Sequence, residues 1–506
     1  MKSKLILSGI LILVFVALSA VNWTVEAGSL KIDPEANDGE FTARLDNTVP
    51  ELMKKYDVPG TAVALVEKGR IVHLKGYGAA DRKTGAKVDG NTIFQVASNS
   101  KTVTAFGVMK LVENGILDLD VPVSKYLIRW KLPRSKFNNG DVTLRRILSH
   151  TAGLSQGAYP GYLPGDKLPT LEESLSGKAP GTKALHLARK PGKKYSYSGG
   201  GYTLIQLIME EATGKPFAGY MESYVLKPLG MLDSSFVLKP DFAGRVSKAY
   251  DVFGHELPNY LFTEQAAAGL YTTAADFARF IEANIRICMG EAGSAPITQN
   301  SQSVMLTPVK KDYGFGFIIN ELPDGSRLIY HGGTNRGWRS QFAILPERGD
   351  GLVVLTNSDN GESLHADLLC LWTRWETGYY PGSYLKNILG RTLVKSGAEF
   401  ILLILIFIMS ITIFGMARRK RSFIRNNGKA FPQALLKSLA AAALSVLWCV
   451  VFYTGEIYNG WVFVSLMPAG FKWLTASVLL SSLCYACMSW TEKRRMPDGS
   501  GLKTII

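Results

Sequence analysis

The end of the chain constrains the fold more than any other part, because it leaves little choice of solvent. Three stretches, about 398–417, 434–454 and 461–490, are apolar over roughly the 20 residues that a helix needs to cross a bilayer. The third is broken by Pro468, Gly470 and Lys472, so it starts at Trp461 or a little later. Inside lipid each backbone N–H and C=O must be paired within its own segment, which predicts three helices. "RRKRSFIRNNGK" follows the first stretch and "EKRR" the third, whereas "GEIYNG", between the second and third, has neither Lys nor Arg. The positive-inside rule therefore puts both basic stretches in the cytoplasm and everything before residue 398 across the membrane.

The other end of the chain points the same way. Lys2 and Lys4 precede an apolar run over 5–20, and the small-residue site "VEA" ends at Ala27. Residues 1–27 thus have the pattern of a secretory signal peptide, with an uncleaved signal anchor as the alternative. Either one exports the residues after it. The expected layout is an exported domain over 28–380, a short tether over 381–397 and a membrane region over 398–506. The net charge of +15 comes partly from the cytoplasmic flanks, where Lys and Arg meet anionic headgroups, and makes no case for nucleic acid. Of five cysteines only Cys288 and Cys370 fall in the exported part; one disulfide can join them, and no metal-ligand spacing is present.

Within the exported part, strands gather at its two ends. "TAVALVEKGRIVHLKGYG" reads as a hairpin about a Lys-Gly turn, "YGFGFIINELPDGSRLIYHGG" as a second about "PDG", and "RSQFAILPERGDGLVVLTNSD" as a third. Helical patterns fill the middle: 98–114, ending at Gly115; "GGYTLIQLIMEEATG"; and "TAADFARFIEANIRI", with Thr273 as cap. This order predicts an α/β domain built on one antiparallel sheet flanked by helices, rather than alternating βαβ units. No phosphate-binding glycine motif is present, so neither a nucleotide nor any other cofactor is expected.

Ser98 and Lys101 stand three apart at the start of a helix, on one side of it. A serine hydroxyl is a weak nucleophile until a base takes its proton, and free N–H groups at a helix N-terminus can stabilise an oxyanion. The lysine must then be neutral part of the time, which requires burial or a positive neighbour. Two other stretches keep company with this pair. "KPGKKYSYSGGGYTL" offers Tyr195, Tyr197 and Tyr202 around three glycines, and "IYHGGTNRGWRSQF" puts His331 at a strand end before Gly332 and Gly333. Glycines there let a backbone approach a ligand closely.

In that order, Ser98 with Lys101, the Tyr197 stretch and His331 to Gly333 resemble the three motifs of the serine β-lactamase and penicillin-binding superfamily, most of all its class C and D-peptidase branch. "VPGTAVALVEKGRIV", "VTLRRILSHTAGL", "VLKPLGMLDSSF" and "AAAGLYTTAADFARF" agree, and the resemblance covers roughly residues 40–380. It implies an antiparallel sheet with helices on both faces plus a helical subdomain. It also implies roles: Ser98 as acylated nucleophile, Lys101 as base or proton relay, and Tyr197 as second base with a phenol lowered by Lys101. The oxyanion hole would be the backbone N–H groups of Ser98 and Thr334, after Gly333. Asn335, Arg336 and Trp338 follow this motif as candidates for substrate contact, and His150 is read as structural. Two departures stand out: Gly199 replaces an asparagine that binds the substrate amide, and His331 replaces a lysine, so a fixed positive charge is absent or pH-dependent.

The resulting expectation is a multi-pass membrane protein with an extracytoplasmic serine hydrolase domain. It would act through an acyl-enzyme on a small amide or ester, a D-amino-acid peptide or a peptidoglycan-like cell-wall peptide. The alternative is a penicillin-binding sensor or wall-binding protein without turnover. Expected partners are the substrate and the lipid bilayer, with a transporter as a further candidate.

Overall fold

The computed structural model describes residues 2–28, 38–155, 159–291, 293, 295–418, 421–424, 430–453 and 468–493. The chain forms two compact units: residues 32–384, and a second made from both ends, 1–31 with 385–506.

In the larger unit the two ends of the exported part meet in one sheet. All three expected hairpins form: β1 (Gly60–Glu67) with β2 (Arg70–Gly78), β3 (Ile318–Glu321) with β4 (Arg327–Asn335), and β5 (Trp338–Leu345) with β6 (Asp350–Thr356). The order is β2-β1-β6-β5-β4-β3, antiparallel throughout, and β1 pairs with β6 in the register Thr61↔Thr356 to Val66↔Gly351. The first hairpin turns at Lys68 and Gly69, both with positive φ (49° and 72°), the conformation a tight two-residue turn demands.

Helices cover both faces, as the resemblance implied. Alternate residues of a strand face opposite sides, so Ala62, Ala64 and Val66 of β1 enter the main core with Phe277, Ile281 and Ile285 of the helix Ala274–Cys288. Thr273 caps that helix as expected, its hydroxyl accepting from the Asp276 N–H at 3.1 Å. The opposite face carries Asp38–Tyr56 and Gly361–Thr377. The helical middle packs around Ser100–Glu113, whose Val103, Phe106, Met109 and Leu111 are all buried. No disulfide joins Cys288 and Cys370; Cys288 instead meets Gln302 Oε1 at 3.2 Å.

In the smaller unit, among the described residues, two helices are long and apolar enough to cross a membrane: Tyr384–Ala417 and Phe431–Phe452. The third expected span begins at 461–467, outside the described residues; its described part is the helix Pro468–Ser489, which is less apolar than the other two. Most of "RRKRSFIRNNGK", all of "GEIYNG" and the end of "EKRR" also lie outside them. The expected tether differs. From Tyr384 on it is helical and continuous with the first span, because "SYLKNILGRTLVKSG" contains no proline to stop a helix that the apolar run extends. The N-terminal segment is also helical, Lys2–Gly28, and Asn22 Nδ2 donates to Ser396 Oγ (3.0 Å) and Glu399 Oε2 (2.7 Å).

Candidate active site

Ser98 sits on a single 3-10 turn, Ala97–Asn99, that leads directly into the helix Ser100–Glu113. Ala97 has φ of +48°, which holds the turn kinked away from both strand and helix geometry. The kink is clamped from two sides. Val96 N–H donates to Leu270 O at 3.0 Å, and Leu270 N–H donates to Ser100 Oγ at 3.0 Å. On the sheet side, Asn99 Nδ2 donates to Ser340 Oγ (2.9 Å), which donates to Val96 O (2.7 Å). Strand β4 lies so close that a Cβ on Gly333 would stand 2.1 Å from Val96 O, whereas one on Gly332 would meet nothing nearer than 3.8 Å. Gly333 is therefore required by the approach of Thr334's strand to the Ser98 turn, and Gly332 is not. The other glycine cluster has a different reason. Side chains at Gly200 and Gly201 would strike Leu185 and Ile147, so those positions serve helix packing rather than a ligand.

Lys101 lies one turn on from Ser98, and its Nζ is 3.1 Å from Ser98 Oγ and 2.6 Å from Ala267 O. The side chain is 2% exposed, and among the described residues no carboxylate pairs with it. A buried ammonium without a counter-charge is disfavoured, and desolvation brings the Lys101 pKa down to about 7. The desolvating wall is aromatic: Nζ stands over the Tyr197 ring at 5.0 Å and the Tyr202 ring at 5.7 Å.

Tyr197 shares a hydrogen bond with Ser98, so the three residues expected to do chemistry are brought together. The expected lowering of its phenol does not occur. Burial pushes the Tyr197 pKa well above the ordinary value, because a lysine that is itself half neutral supplies little charge to hold a phenolate. His331 reaches the same cluster, 6.4 Å from the Tyr197 ring. Its Nδ1 lies 2.7 Å from Gly332 O, an acceptor only, so Nδ1 carries the proton and Nε2 accepts from Tyr313 Oη at 2.9 Å. Burial and the nearby Lys101 lower its pKa to about 3. The imidazole is neutral, and the fixed positive charge is absent rather than pH-dependent.

Asn335 faces inward. Its Nδ2 donates to Gln95 Oε1 (2.9 Å) and Ala268 O (3.2 Å), which uses both amide protons to tie β4 to the segments around Ser98. Trp338 is buried in the core, edge-on to Phe94. Arg336 stays half-exposed, its guanidinium 5.1 Å over the Tyr260 ring. Sequence reasoning missed Tyr313 and Ala267 O. Neither carries a local pattern: each meets its partner only through the fold, although Gly316 at φ +79°, where an added Cβ would stand 3.2 Å from Lys101 O, marks that loop as a close approach.

An antiparallel sheet flanked by helices, with a serine, a buried lysine and a tyrosine converging beside its β4 strand, defines the penicillin-recognising serine class of folds. The chain belongs to the Beta-lactamase family, whose model matches residues 45–369. It is 26% identical over 333 residues to protein flp of Staphylococcus aureus (strain MRSA252), a match that spans 62% of this chain and only 62% of that protein. It is 28% identical over 334 residues to PbpX of Bacillus subtilis (strain 168), a chain named as a penicillin-binding protein, over 64% of this chain and 76% of that one. Among solved structures, an octameric penicillin-binding protein homologue from Pyrococcus abyssi superposes with a TM-score of 0.58 at 26% identity, covering 70% of this chain and 81% of that one. The D-alanine carboxypeptidase AmpC of Burkholderia cenocepacia, with a TM-score of 0.53 and 22% identity over 71% of this chain and 99% of its own, shares the fold.

Proposed function

We propose that the chain is a membrane-anchored serine hydrolase that cleaves an amide or ester on the extracytoplasmic side through an acyl-enzyme on Ser98. The observation that carries this reading is the contact of a buried, charge-unpaired Lys101 with Ser98 Oγ at 3.1 Å. Neutral Lys101 takes the Ser98 proton as Oγ attacks the carbonyl carbon. The oxyanion forms against the backbone N–H groups of Ser98 and Thr334. The bond to the leaving amine or alcohol then breaks, and the departing atom takes a proton from the Lys101 ammonium by way of the Tyr197 hydroxyl. Water adds to the acyl-enzyme, giving its proton back along that path; the acid leaves and Ser98 regains its hydrogen. Tyr197 works here as a protonated relay, which fits its raised pKa.

His331 narrows the substrate. A neutral imidazole offers no charge to a carboxylate on the leaving-group side, so the preferred substrate has an uncharged group there: an ester, an amide or an internal peptide bond. The class C and D-peptidase branch, three spans and the positive-inside orientation complete the proposal, supported by the apolar helices and the basic stretches beside them. A second reading, a sensor that is acylated and not turned over, has the missing side chain at Gly199 in its favour.

Intact mass of the full chain in detergent, incubated over time with a penicillin and with p-nitrophenyl acetate, tests both. Ester consumption that disappears in Ser98→Ala supports the hydrolase. A stable adduct at Ser98 without consumption supports the sensor, and no reaction with either compound sinks both.

A further inference from the structure

His150 has no role in the chemistry above, yet it lies beneath it. It follows the short helix Leu144–Leu148, and its own N–H still donates to Ile147 O at 3.0 Å. Its φ is +56°, a left-handed conformation that is disfavoured for a residue with a Cβ and persists only where surroundings impose it. What that conformation achieves is visible in the segment opposite. The backbone O of His150 accepts from Ser196 N–H at 2.8 Å, and its ring Nδ1 accepts from Ser198 N–H at 3.1 Å. One residue thus grips both neighbours of Tyr197, the ring nitrogen standing where a paired strand would offer a carbonyl. The ring face then lies against Tyr197 itself, centroids 4.2 Å apart.

The rest of the cage supports this placement. His150 is 2% exposed, and Tyr202 and Tyr313 close around it at 5.4 and 5.0 Å, so the ring has no alternative position to adopt. With Nδ1 as acceptor, the neutral ring carries its proton on Nε2, which has no hydrogen-bond partner among the described residues. An unpartnered buried donor has a cost, and it is tolerated here beside the candidate catalytic residues.

We propose that His150 is a positioning residue: by holding the Ser196 and Ser198 amides and the face of the Tyr197 ring, it sets the Tyr197 hydroxyl on Ser98. The inference rests on the hydrolase reading above. The test uses the full chain in detergent, p-nitrophenyl acetate as substrate, and a fluorophosphonate probe that labels Ser98 to count competent sites. His150→Phe keeps a ring but removes the acceptor; His150→Asn keeps an acceptor near the Nδ1 position and tolerates positive φ. A displaced hydroxyl should lower kcat per labelled site about 100-fold in His150→Phe, with KM within about 3-fold, because misplacement by an ångström costs on that order. His150→Asn should recover about a tenth of wild-type kcat or more by restoring the Ser198 contact. In a Tyr197→Phe background, His150→Phe should cost no more than about 3-fold further, since residues acting through one another are not additive.

Unchanged kcat per labelled site in both variants overturns the proposal, as does an undiminished loss in the Tyr197→Phe background. A chain that fails to label in either variant reduces His150 to a folding requirement and overturns it too. If the wild-type chain neither labels nor turns over, the hydrolase reading itself falls, and the two failures are told apart by where they occur.

Discussion

Two buried cations in this chain have opposite company. Lys101 has a serine hydroxyl and a carbonyl oxygen within reach and, among the described residues, no carboxylate, and its pKa falls to about 7. Arg339, fully buried in β5, has Asp359 Oδ1 at 3.1 Å and Glu362 Oε2 at 3.8 Å, and it donates to the backbone oxygens of Asn335 and Trp338. Asp359 also accepts from Gly337 N–H at 3.0 Å, so the ion pair locks the tip of the β4 to β5 hairpin. A paired charge is fixed and serves architecture; an unpaired one can give up its proton and is available for chemistry. The same sheet carries both.

The sharpest way to break this contrast is to remove each cation. Lys101→Met should lower turnover and fluorophosphonate labelling together, about 10³-fold or more, while thermal scans report a folded chain, since the lost group is a general base and the replacement needs no solvent. Substantial unfolding in that variant would make Lys101 structural after all. Arg339→Leu should do the reverse, lowering stability by about 3–5 kcal/mol because Asp359 stays buried without its partner. Turnover per labelled site should then remain near wild type in what stays folded, read by denaturant melts beside ester kinetics.

Gly333→Ala probes the contact between the two regions. The new methyl would stand against Val96 O, and turnover should fall about 10²-fold, while Gly332→Ala, whose methyl meets nothing nearer than Ser340 O at 3.8 Å, should be silent. Equal effects would show that the β4 approach to Ser98 is looser than its geometry.

The pH profile gives a smaller effect with a definite sign. Neutral Lys101 is the active form, so kcat/KM should rise with pH through about 7 and fall about tenfold per unit below it. His331, at about 3, stays neutral throughout this range, and His331→Gln should leave the midpoint in place. Stability moves in the same direction. Between about 7 and the ordinary lysine value of 10.5 the unfolded chain holds the extra proton, so the folded state gains stability as pH rises across that window. Lys101→Met should lack this gain, which denaturant melts at pH 7 and pH 10 would reveal.

What the sequence made legible was local. Lys68 with Gly69 announced a turn, Thr273 a cap, and Ser98 with Lys101 a shared helix face, each within a few residues. Tyr313 on His331, Ala267 O on Lys101 and the Arg339 ion pairs were not legible, because each joins segments brought together only by the fold. Asn335 illustrates the limit in a single residue: its place after the third motif suggested substrate contact, yet Gln95, 240 positions earlier, takes its amide proton. His150 was set aside as structural for the same reason, since nothing near it in the chain hints at Tyr197.

The pairing of β1 with β6 also bears on how such a chain is made. Gly60 N–H donates to Asn357 Oδ1 across 297 positions, so the central sheet has no closed form until nearly the whole domain is present. Under the export proposed above, β1 must wait, paired only with β2 and with its other edge open, while the helical middle emerges. The apolar helix Tyr384–Ala417 begins only some thirty residues after β6. Under that proposal, folding of the domain and anchoring of its far end fall in the same short interval, and a chaperone on the outer side would have one strand edge above all to shield.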